Sequence, residues 1–287
     1  MTRPAVDGVL LVDKPVGVTS HDVVSTVRRA VHERRVGHAG TLDPFATGLL
    51  IVLLGRATRL LRYLDDEPKV YEATIRFGAE TDTDDLTGEV IRTAPLPDPA
   101  LVERALADLT GEIEQVPPAY SAKRVEGRRA YDAARRGTPL ELAPARVTVH
   151  EWRLRDWRGP ELDAVVMCGT GTYIRSLARD LGRLVGSAAH LCALRRVRSG
   201  AFDVRDAASL DAVREGHATV CAPLRALPTL PVEPLDQDAV ARVARGMRVP
   251  ASIPAPRAAL VDGAMHLVAL GERDGAFWQP RVVLRDA

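Results

Sequence analysis

The stretch Lys69-Val70-Tyr71-Glu72-Ala73-Thr74-Ile75-Arg76-Phe77 alternates apolar and polar side chains, so that its tyrosine, alanine, isoleucine and phenylalanine share one face. An apolar period of two residues is typical of a half-buried strand. Residues 49–54 are instead apolar at every position, which is typical of a strand buried on both faces. Helical patterns occur among such strands without a regular strand–helix–strand rhythm. The sequence therefore predicts an α+β fold and not a doubly wound sheet.

Outward from these two strands, the same patterns predict further strands at residues 9–12 and 162–168. Three helices are predicted, because a capping residue or proline opens a run of apolar side chains at helical spacing. The first starts after a cap at Thr19-Ser20, the second runs from Asp98-Pro99 to about residue 109, and the third starts at Tyr173 after a cap at Thr172. The segments between these elements are glycine-rich or lack a regular period. Residues 36–48 are expected to form a loop, and about residues 111–150 a long excursion.

The last part of the chain has a different character. Three prolines within residues 228–234 predict a linker, and a helix capped by Asp236 follows it. Short apolar strands come next, separated by Asp262-Gly263 and Asp274-Gly275, which are strong hairpin turns. We therefore expect one domain at residues 1–230 and a small β-rich domain at residues 231–287.

Composition limits the classes of protein. With 46% hydrophobic and 27% charged residues, the chain can bury a core. Its longest aliphatic run, residues 49–54, is far shorter than the roughly 20 residues that span a bilayer, and its first residues do not resemble a signal peptide. The three cysteines are far apart, which favours a reducing compartment over a disulfide framework or zinc site. We expect a cytoplasmic protein that does not associate with a membrane.

The total charge conceals local excesses. The chain has 39 basic and 38 acidic residues, a formal net charge of +1, which argues against a nucleic-acid partner. Residues 117–136 nevertheless carry six basic and two acidic side chains, with Tyr120 and Tyr131 between them. Basic groups for phosphates and aromatic faces for unstacked bases are typical of an RNA-binding surface, although basic loops are common in other proteins too. Residues 173–198 add six arginines against one aspartate.

Two short segments could carry chemistry. Residues 37–48 place Asp43 and His38 on a glycine-rich loop between apolar strands, where reactive groups are often found. Asp43-Pro44 is also an ordinary pair at the start of a helical turn, and spacing alone favours that structural interpretation. In the second segment, Arg175 lies in the first turn of a helix, where a cation opposes the helix dipole. Its position suggests an anionic partner, either a carboxylate or a phosphate, or else a solvated face. Arg179 and Arg183 follow on the same helix face, and for these two a solvated face is the better interpretation.

Together, several motifs resemble the bacterial tRNA pseudouridine-55 synthases, the TruB-type family. They occur in family order over most of residues 8–200, and the block at residues 37–48 is long and specific. The matching segments are residues 11–20, 37–48, 69–71, 78–84, 117–122 and 171–175. The resemblance implies a pseudouridine-synthase-like catalytic domain with a mixed, mainly antiparallel sheet flanked by helices. The last part of the chain resembles, more weakly, the small β-barrel RNA-binding domain of PUA type.

The resemblance also implies a reaction, the isomerisation of uridine 55 in the T-loop of tRNA to pseudouridine without a cofactor or metal. Asp43 would be the nucleophile, attacking either the base or the ribose C1′, and Arg175 would be its ion-pair partner. Tyr71 would stack on the uracil and take part in removing the C5 proton. His38 would support the flipped-out nucleotide, since such chemistry needs the base outside the helical stack.

The remaining expected contacts are with tRNA. Lys14 and Tyr173 lie inside family motifs and are expected to bind substrate, as are Lys123, Arg124, Arg128 and Arg129 of the basic excursion. Where the family often has Ser-Lys, this chain has Gly169-Thr170, and Lys123-Arg124 leaves open which of the two touches RNA. We expect a monomer that binds the T-arm of tRNA and requires no protein partner.

Two other classes of function compete with this one. A tRNA-binding folding chaperone could use the same surface with incidental catalysis, but binding alone needs no buried carboxylate. A glycoside hydrolase would need two carboxylates flanking the bond, and the acidic cluster at residues 82–85 lies in an expected turn.

Overall fold

The computed structural model describes residues 6–64, 66–121, 123–125, 128–138 and 140–285, with the backbone alone for residues 124, 125, 128, 129, 131 and 132. The strands are, in chain order, β1 Gly8–Lys14, β2 Val36–Ala39, β3 Thr47–Leu54, β4 Lys69–Phe77, β5 Ala79–Thr81, β6 Val90–Thr93, β7 Gly111–Gln115, β8 Arg124–Val125, β9 Arg128–Arg129, β10 Ala145–Arg158, β11 Glu161–Cys168, β12 Ala189–Ser199, β13 Phe202–Asp203, β14 Ala208–Ser209, β15 Val232–Pro234, β16 Val249–Pro250, β17 Arg257–Val261, β18 Leu267–Asp274 and β19 Phe277–Val283.

The helices are α1 Ser20–Val31, α2 Pro99–Ala105, α3 Ala130–Arg135, α4 Ile174–Leu184, α5 Leu210–Arg214 and α6 Gln237–Ala244, and 3-10 turns form at Gly55–Tyr63, Leu106–Leu109, Val204–Asp206 and Pro223–Ala226. In the described residues no helix is both long and apolar enough to cross a membrane. The chain divides into two compact units. The first unit comprises Met1–Pro44, Gly48–Asp66 and Ala201–Ala287, and the second comprises Phe45–Thr47 and Glu67–Gly200.

In the first unit, β3 pairs antiparallel with β1 and with β2, and β1 pairs parallel with β14. Residues 9–12 of β1 and 49–54 of β3 are apolar at every position because both faces of these strands are buried there. The even-numbered face, which includes Leu10 and Leu50, packs against Val23 and Val27 of α1. Helix α1 begins at Thr19 with a complete capping box, in which Thr19 and Asp22 each accept a backbone N–H of the other.

The odd-numbered face of β1 and β3 is covered by the C-terminal sheet. That sheet has the strand order β15-β17-β18-β19-β16. Its side chains share one hydrophobic core with the odd-numbered face, and the buried residues of this core include Leu49, Ile51, Leu53, Val261, Leu270 and Val282. Arg56 and Arg59 donate hydrogen bonds of 2.8 Å to the carbonyls of Leu284 and Val283. The module is therefore β-rich as expected, whereas the domain boundary at residue 230 stays a prediction.

The second unit is built on an antiparallel sheet in the order β12-β4-β11-β10-β7, in which β4 lies between β12 and β11. The alternation that the sequence shows along β4 is observed as buried residues at every second position, from Lys69 to Phe77. The other neighbour of β4, opposite β12, is β11, in which Val166 lies beside Tyr71. The mixed, mainly antiparallel α+β fold is confirmed.

Several local predictions needed correction. Residues 36–39 form β2 rather than part of a loop, so the irregular segment starts at Gly40. The helix expected from Pro99 to about residue 109 ends at Ala105 and continues as a 3-10 turn. The long strand β10 begins inside the excursion that was expected at residues 111–150.

Candidate active site

The loop that carries Asp43 is fixed on both sides of that residue. Before it, the Ser20 hydroxyl donates to the Leu42 carbonyl at 3.1 Å and accepts the Leu42 N–H at 2.9 Å. After it, the Pro44 carbonyl accepts the Gly17 N–H at 2.8 Å. Leu42 is buried, whereas the Asp43 side chain is half-buried. Packing and hydrogen bonds thus hold the backbone on both sides of Asp43, while the residue itself is only half-buried.

Lys14 binds the backbone of the same loop through its ammonium group. Its side chain is fully buried, and Nζ donates to the carbonyls of Val18 at 2.7 Å, Pro15 at 3.0 Å and Pro44 at 3.4 Å. Burial lowers the pKa of Lys14 from 10.5 to about 8, against the opposing effect of the Asp43 and Asp22 charges. The substrate contact expected of Lys14 stays a prediction, since the contacts observed for its ammonium are with this loop.

His38 belongs to β2, where it pairs in register with Val52 of β3. The histidine thus precedes the Asp43 loop on a strand of the first unit and is half-buried. Its expected role at a flipped nucleotide stays a prediction.

Tyr71 stands on the buried face of β4, with 7% of its surface exposed. Val166 of β11 and Arg196 of β12 are its partners in register on the two neighbouring strands. The strand pattern in the sequence thus places Tyr71 correctly among core residues. Its participation in proton removal is not tested by this placement.

Arg175 is the second residue of α4 and is only 3% exposed. Its Nη1 donates to the Thr83 carbonyl at 2.9 Å and lies 3.4 Å from Oδ2 of Asp85, and its Nη2 donates to the Tyr120 carbonyl at 2.8 Å. The positive charge of Arg175 opposes the dipole of α4, and the Asp85 carboxylate of the same unit lies next to it. The predicted ion pair with Asp43, a residue of the first unit, stays a prediction.

Asp85 is held in place for that contact. Its Oδ1 accepts hydrogen bonds from the Thr83 hydroxyl at 2.8 Å, the Thr87 N–H at 2.9 Å and the Thr87 hydroxyl at 2.6 Å. The other oxygen, Oδ2, faces Arg175. The acidic cluster at residues 82–85 was interpreted from sequence as a turn. In the structure, this turn places the Asp85 carboxylate next to Arg175, a candidate catalytic residue.

Arg179 and Arg183 extend this pattern along α4. Arg179 was expected on a solvated face, and that expectation is wrong, because its side chain is buried with Nη1 2.9 Å from Oδ2 of Asp84. Arg183 is about half exposed, and its Nη2 lies 2.7 Å from Oε2 of buried Glu80. Arginines spaced four residues apart on one helix face therefore pair with acids of residues 80–85.

Tyr173 is the residue that caps α4, one position later than Thr172, where the sequence predicts the cap. Its backbone N–H and carbonyl both bond to the side-chain amide of Gln115, at 2.8 Å and 3.1 Å. The second unit therefore brings Tyr173 and Arg175 together at one helix start. Contact between Tyr173 and substrate stays a prediction.

The basic excursion forms a small hairpin in which Arg124 pairs with Arg129 and Val125 with Arg128. Lys123 precedes it, is half-buried, and accepts the Ala130 N–H at its carbonyl at 2.9 Å. The side chains of Arg124, Arg128 and Arg129 lie outside the described part of the chain, so their expected RNA contacts stay predictions.

The position at which the family often has lysine is filled by Thr170. Its hydroxyl accepts a hydrogen bond from Lys69 Nζ at 2.7 Å, and its N–H donates to Glu67 Oε1 at 2.7 Å. A lysine and a glutamate therefore both contact Thr170, and the positive charge of Lys69 is accompanied by the negative charge of Glu67.

Two family models match the chain. The N-terminal domain model of the TruB family pseudouridylate synthases matches residues 28–174, and the C-terminal domain model of tRNA pseudouridylate synthase B matches residues 175–228. A curated tRNA pseudouridine synthase B of Thermobifida fusca is 46% identical over 96% of this chain and 98% of its own length.

The chain belongs to the TruB family of pseudouridine synthases.

Other relatives agree with this membership in the TruB family. A tRNA pseudouridine synthase B of Gloeobacter violaceus is 48% identical over 85% of this chain and 87% of its own length. Among solved structures, a chain of a Cbf5–Nop10–Gar1 complex superposes with a TM-score of 0.71 and 26% identity, covering 97% of this chain and 85% of that one. The likeness extends over the C-terminal module, as expected for a PUA-like sheet.

In this TruB-family chain, the sequence analysis gave no site role to three residues that hold candidate site residues in place. Gln115 was not singled out, Ser20 was noted only near a helix start, and Asp85 only within an acidic turn, although each bonds beside a candidate site residue. Spacing gives no signal for them, because Gln115 and Tyr173 are 58 positions apart and Ser20 and Leu42 are 22 positions apart. Only the position of Gln115 just before the Pro117-Pro118 motif could have drawn attention to it.

Proposed function

We propose that the chain isomerises a uridine of tRNA to pseudouridine, namely uridine 55 of the T-loop. The observation that carries the proposal is the similarity, over nearly the whole of both chains, to relatives named tRNA pseudouridine synthase B. The fixed loop around Asp43 supports it, because a nucleophile must be held in place near its target, and a misplacement of about 1 Å can cost about a hundredfold in rate.

Asp43 is the nucleophile in this proposal, and it reacts as a carboxylate with either the base or ribose C1′. The bond that it forms breaks again before the product leaves, so that Asp43 is regenerated. The bond between uracil N1 and ribose C1′ breaks, the base turns in the pocket, and a bond between C5 and C1′ forms. The proton on C5 leaves, and N1 gains one, so that the product is an isomer of the substrate. Neither a cofactor nor a metal is needed for this balance.

Tyr71 and Arg175 assist the same reaction. Tyr71 stacks on the uracil and takes part in removing the C5 proton, and its position among core residues supports a fixed ring orientation. Arg175 pairs with Asp43 and keeps it ionised. The three oxygen neighbours that hold the guanidinium support a preorganised cation.

Binding requires the uridine outside the RNA stack, with His38 supporting the flipped geometry and Tyr173 contacting the nucleotide. The basic excursion with Lys123, Arg124, Arg128 and Arg129 binds phosphates of the T-arm. The chain acts in this proposal as a cytoplasmic monomer without a protein partner, which sedimentation of the enzyme with and without tRNA would check.

The decisive experiment measures tritium released from tRNA that carries [5-³H]uridine. The intact chain should release tritium, and Asp43→Asn should bind tRNA without release. If the intact chain released no tritium, the proposal would be overturned, and a tRNA-folding chaperone would be the better interpretation. Release that survives in Asp43→Asn would remove Asp43 from the role of nucleophile.

A further inference from the structure

Helix α4 starts without a side-chain cap of its own. Its N-cap residue, Tyr173, makes no capping hydrogen bond through its side chain. The first N–H groups of a helix have no partner inside the helix and must find one elsewhere. Gln115, the last residue of β7, supplies it, because Gln115 Oε1 accepts the Tyr173 N–H at 2.8 Å.

The same amide makes a second bond in the opposite direction. Gln115 Nε2 donates to the Tyr173 carbonyl at 3.1 Å, so one planar group satisfies both backbone atoms of the cap residue. Gln115 is 1% exposed, so solvent cannot take over either bond. A hydrocarbon would satisfy neither atom, and a carboxylate would set an oxygen against the Tyr173 carbonyl.

The adjoining residue continues this attachment. The Val116 carbonyl accepts the Ser176 hydroxyl at 2.9 Å and Nη2 of Arg179 at 2.9 Å. The first two turns of α4 are therefore bonded to residues 115 and 116. Arg175 lies within these turns, and its own Nη2 bonds further along the same segment, at the Tyr120 carbonyl.

We propose that Gln115 is a positioning residue for the pseudouridine synthase reaction, whose side-chain amide sets the place of Tyr173 and, through the first turn of α4, of Arg175. The inference rests on the proposed function of the chain. Gln115 does not touch the substrate. Its contribution is to fix the backbone from which a binding residue and a catalytic residue extend.

The test compares two variants in a single-turnover tritium-release assay with saturating tRNA, from pH 9 to pH 6. Gln115→Met removes both bonds and should lower the rate by about tenfold to a hundredfold at every pH, the usual cost of a small misplacement. Gln115→Glu should be as slow as Gln115→Met at pH 9, but its rate should approach that of the wild-type chain as the pH falls. The neutral carboxyl has the shape of the amide, and its O–H can donate to the Tyr173 carbonyl.

Rates are expressed relative to the wild-type chain at each pH, which removes titrations common to both. Charged side chains near Gln115 could affect the titration of a glutamate placed there. On the elements that Gln115 belongs to or contacts, these are Glu114 on β7, Arg146 on β10, and Arg175 and Arg179 on α4. Asp84, which binds Arg179, has a pKa raised to about 6 by burial, and it is present in every variant. Gln237→Glu, the same chemical change at an exposed residue, should give a flat ratio near one.

Circular dichroism would show that each variant is folded at the assay temperature. A folded Gln115→Met with the wild-type rate, or a Gln115→Glu ratio that does not change with pH, would overturn the inference alone. If Gln115→Met does not fold, the Gln115→Glu ratio decides by itself. Absence of tritium release by the wild-type chain would overturn the proposed function and, with it, this inference.

Discussion

Nη1 of Arg179 lies 2.9 Å from Oδ2 of Asp84, and both side chains are about 10% exposed. The same guanidinium reaches Asp180 through Nε at 2.9 Å, but Asp180 is 28% exposed. One arginine thus has a buried and a more exposed carboxylate partner at equal distance. This difference in exposure decides how much each partner contributes to stability.

Asp84→Asn should lower the free energy of unfolding at pH 8, because it leaves the buried Arg179 charge without its nearest buried partner. The loss should be about 1–3 kcal/mol, below the roughly 3–5 kcal/mol typical of a broken buried pair. Burial raises the pKa of Asp84 to about 6, and asparagine avoids the cost of that buried negative charge. Asp180→Asn is the matched control and should cost no more than about 1 kcal/mol, since its more exposed pair is screened by water. Urea unfolding at pH 8 would measure both. Equal effects of the two substitutions would contradict this assignment of the energy to burial.

Ser20→Ala should slow tritium release and lower the free energy of unfolding by about 1–3 kcal/mol, because two buried hydrogen bonds to Leu42 are lost next to Asp43. Ser25→Ala, a change in the same helix at a half-buried residue, should stay within about 0.5 kcal/mol of wild type. A normal rate in folded Ser20→Ala would show that the loop keeps its place without this serine.

The stability contributed by Lys14 should rise with pH between about 8 and 10.5. Because burial lowers its pKa to about 8, the unfolded chain binds more protons than the folded chain within that window. The unfolding free energy of wild type minus that of Lys14→Met should therefore grow by up to about 3 kcal/mol as the pH rises from 8 to 10. A difference that is constant over this range would contradict the buried, protonated ammonium.

Glu233 should contribute stability above the ordinary carboxyl pKa and lose it as the pH falls through its own, lower pKa. Burial opposes ionisation there, but hydrogen bonds from Ser252, Trp278 and Ile253 outweigh it and lower the pKa of Glu233. Glu233→Gln should therefore flatten the loss of stability on acidification. Urea unfolding of the wild-type chain and of Glu233→Gln between about pH 7 and pH 3 would measure this. An acid limb as steep in Glu233→Gln as in the wild type would contradict the lowered pKa of Glu233.

Replacing Arg124, Arg128 and Arg129 together by glutamine should weaken tRNA binding and flatten its dependence on salt, because fewer counterions are released. The control replaces Arg153, Arg205 and Arg214, three exposed arginines that pair with neighbouring acids, and changes the net charge equally. Filter binding from 50 to 200 mM salt would compare them. Equal slopes for the two triple variants would show that only total charge matters.

The sequence was sufficient for elements defined by local periodicity. The alternation in β4, the capping of α1 by Thr19 and the C-terminal hairpin turns were all predicted and are observed. Family motifs likewise marked the loop of Asp43 and the helix start of Arg175 as candidate sites. These features depend on residues within a few positions of one another, which a single sequence displays directly.

What could not be predicted depends on partners distant in sequence. Arg179 was placed on a solvated face because its helix pattern is polar there, yet Asp84, 95 positions away, buries it. Lys14 was expected to bind substrate because it lies in a family motif, and that contact stays a prediction. The sequence did not show that its ammonium also binds the Pro44 carbonyl, 30 positions away. The identity of a charged residue in the sequence does not determine whether its side chain contacts water, RNA or a backbone carbonyl.

The odd-numbered face of β3 has a consequence for any shortened version of the chain. Leu49, Ile51 and Leu53 lie in the same core as Val261 and Val282 of the C-terminal sheet. Ending the chain near residue 230 would place that face of β3 in water, and contiguous apolar patches of this kind promote aggregation. A loss of activity in such a truncated protein would then result from aggregation, and it would not measure the contribution of the C-terminal module to RNA recognition.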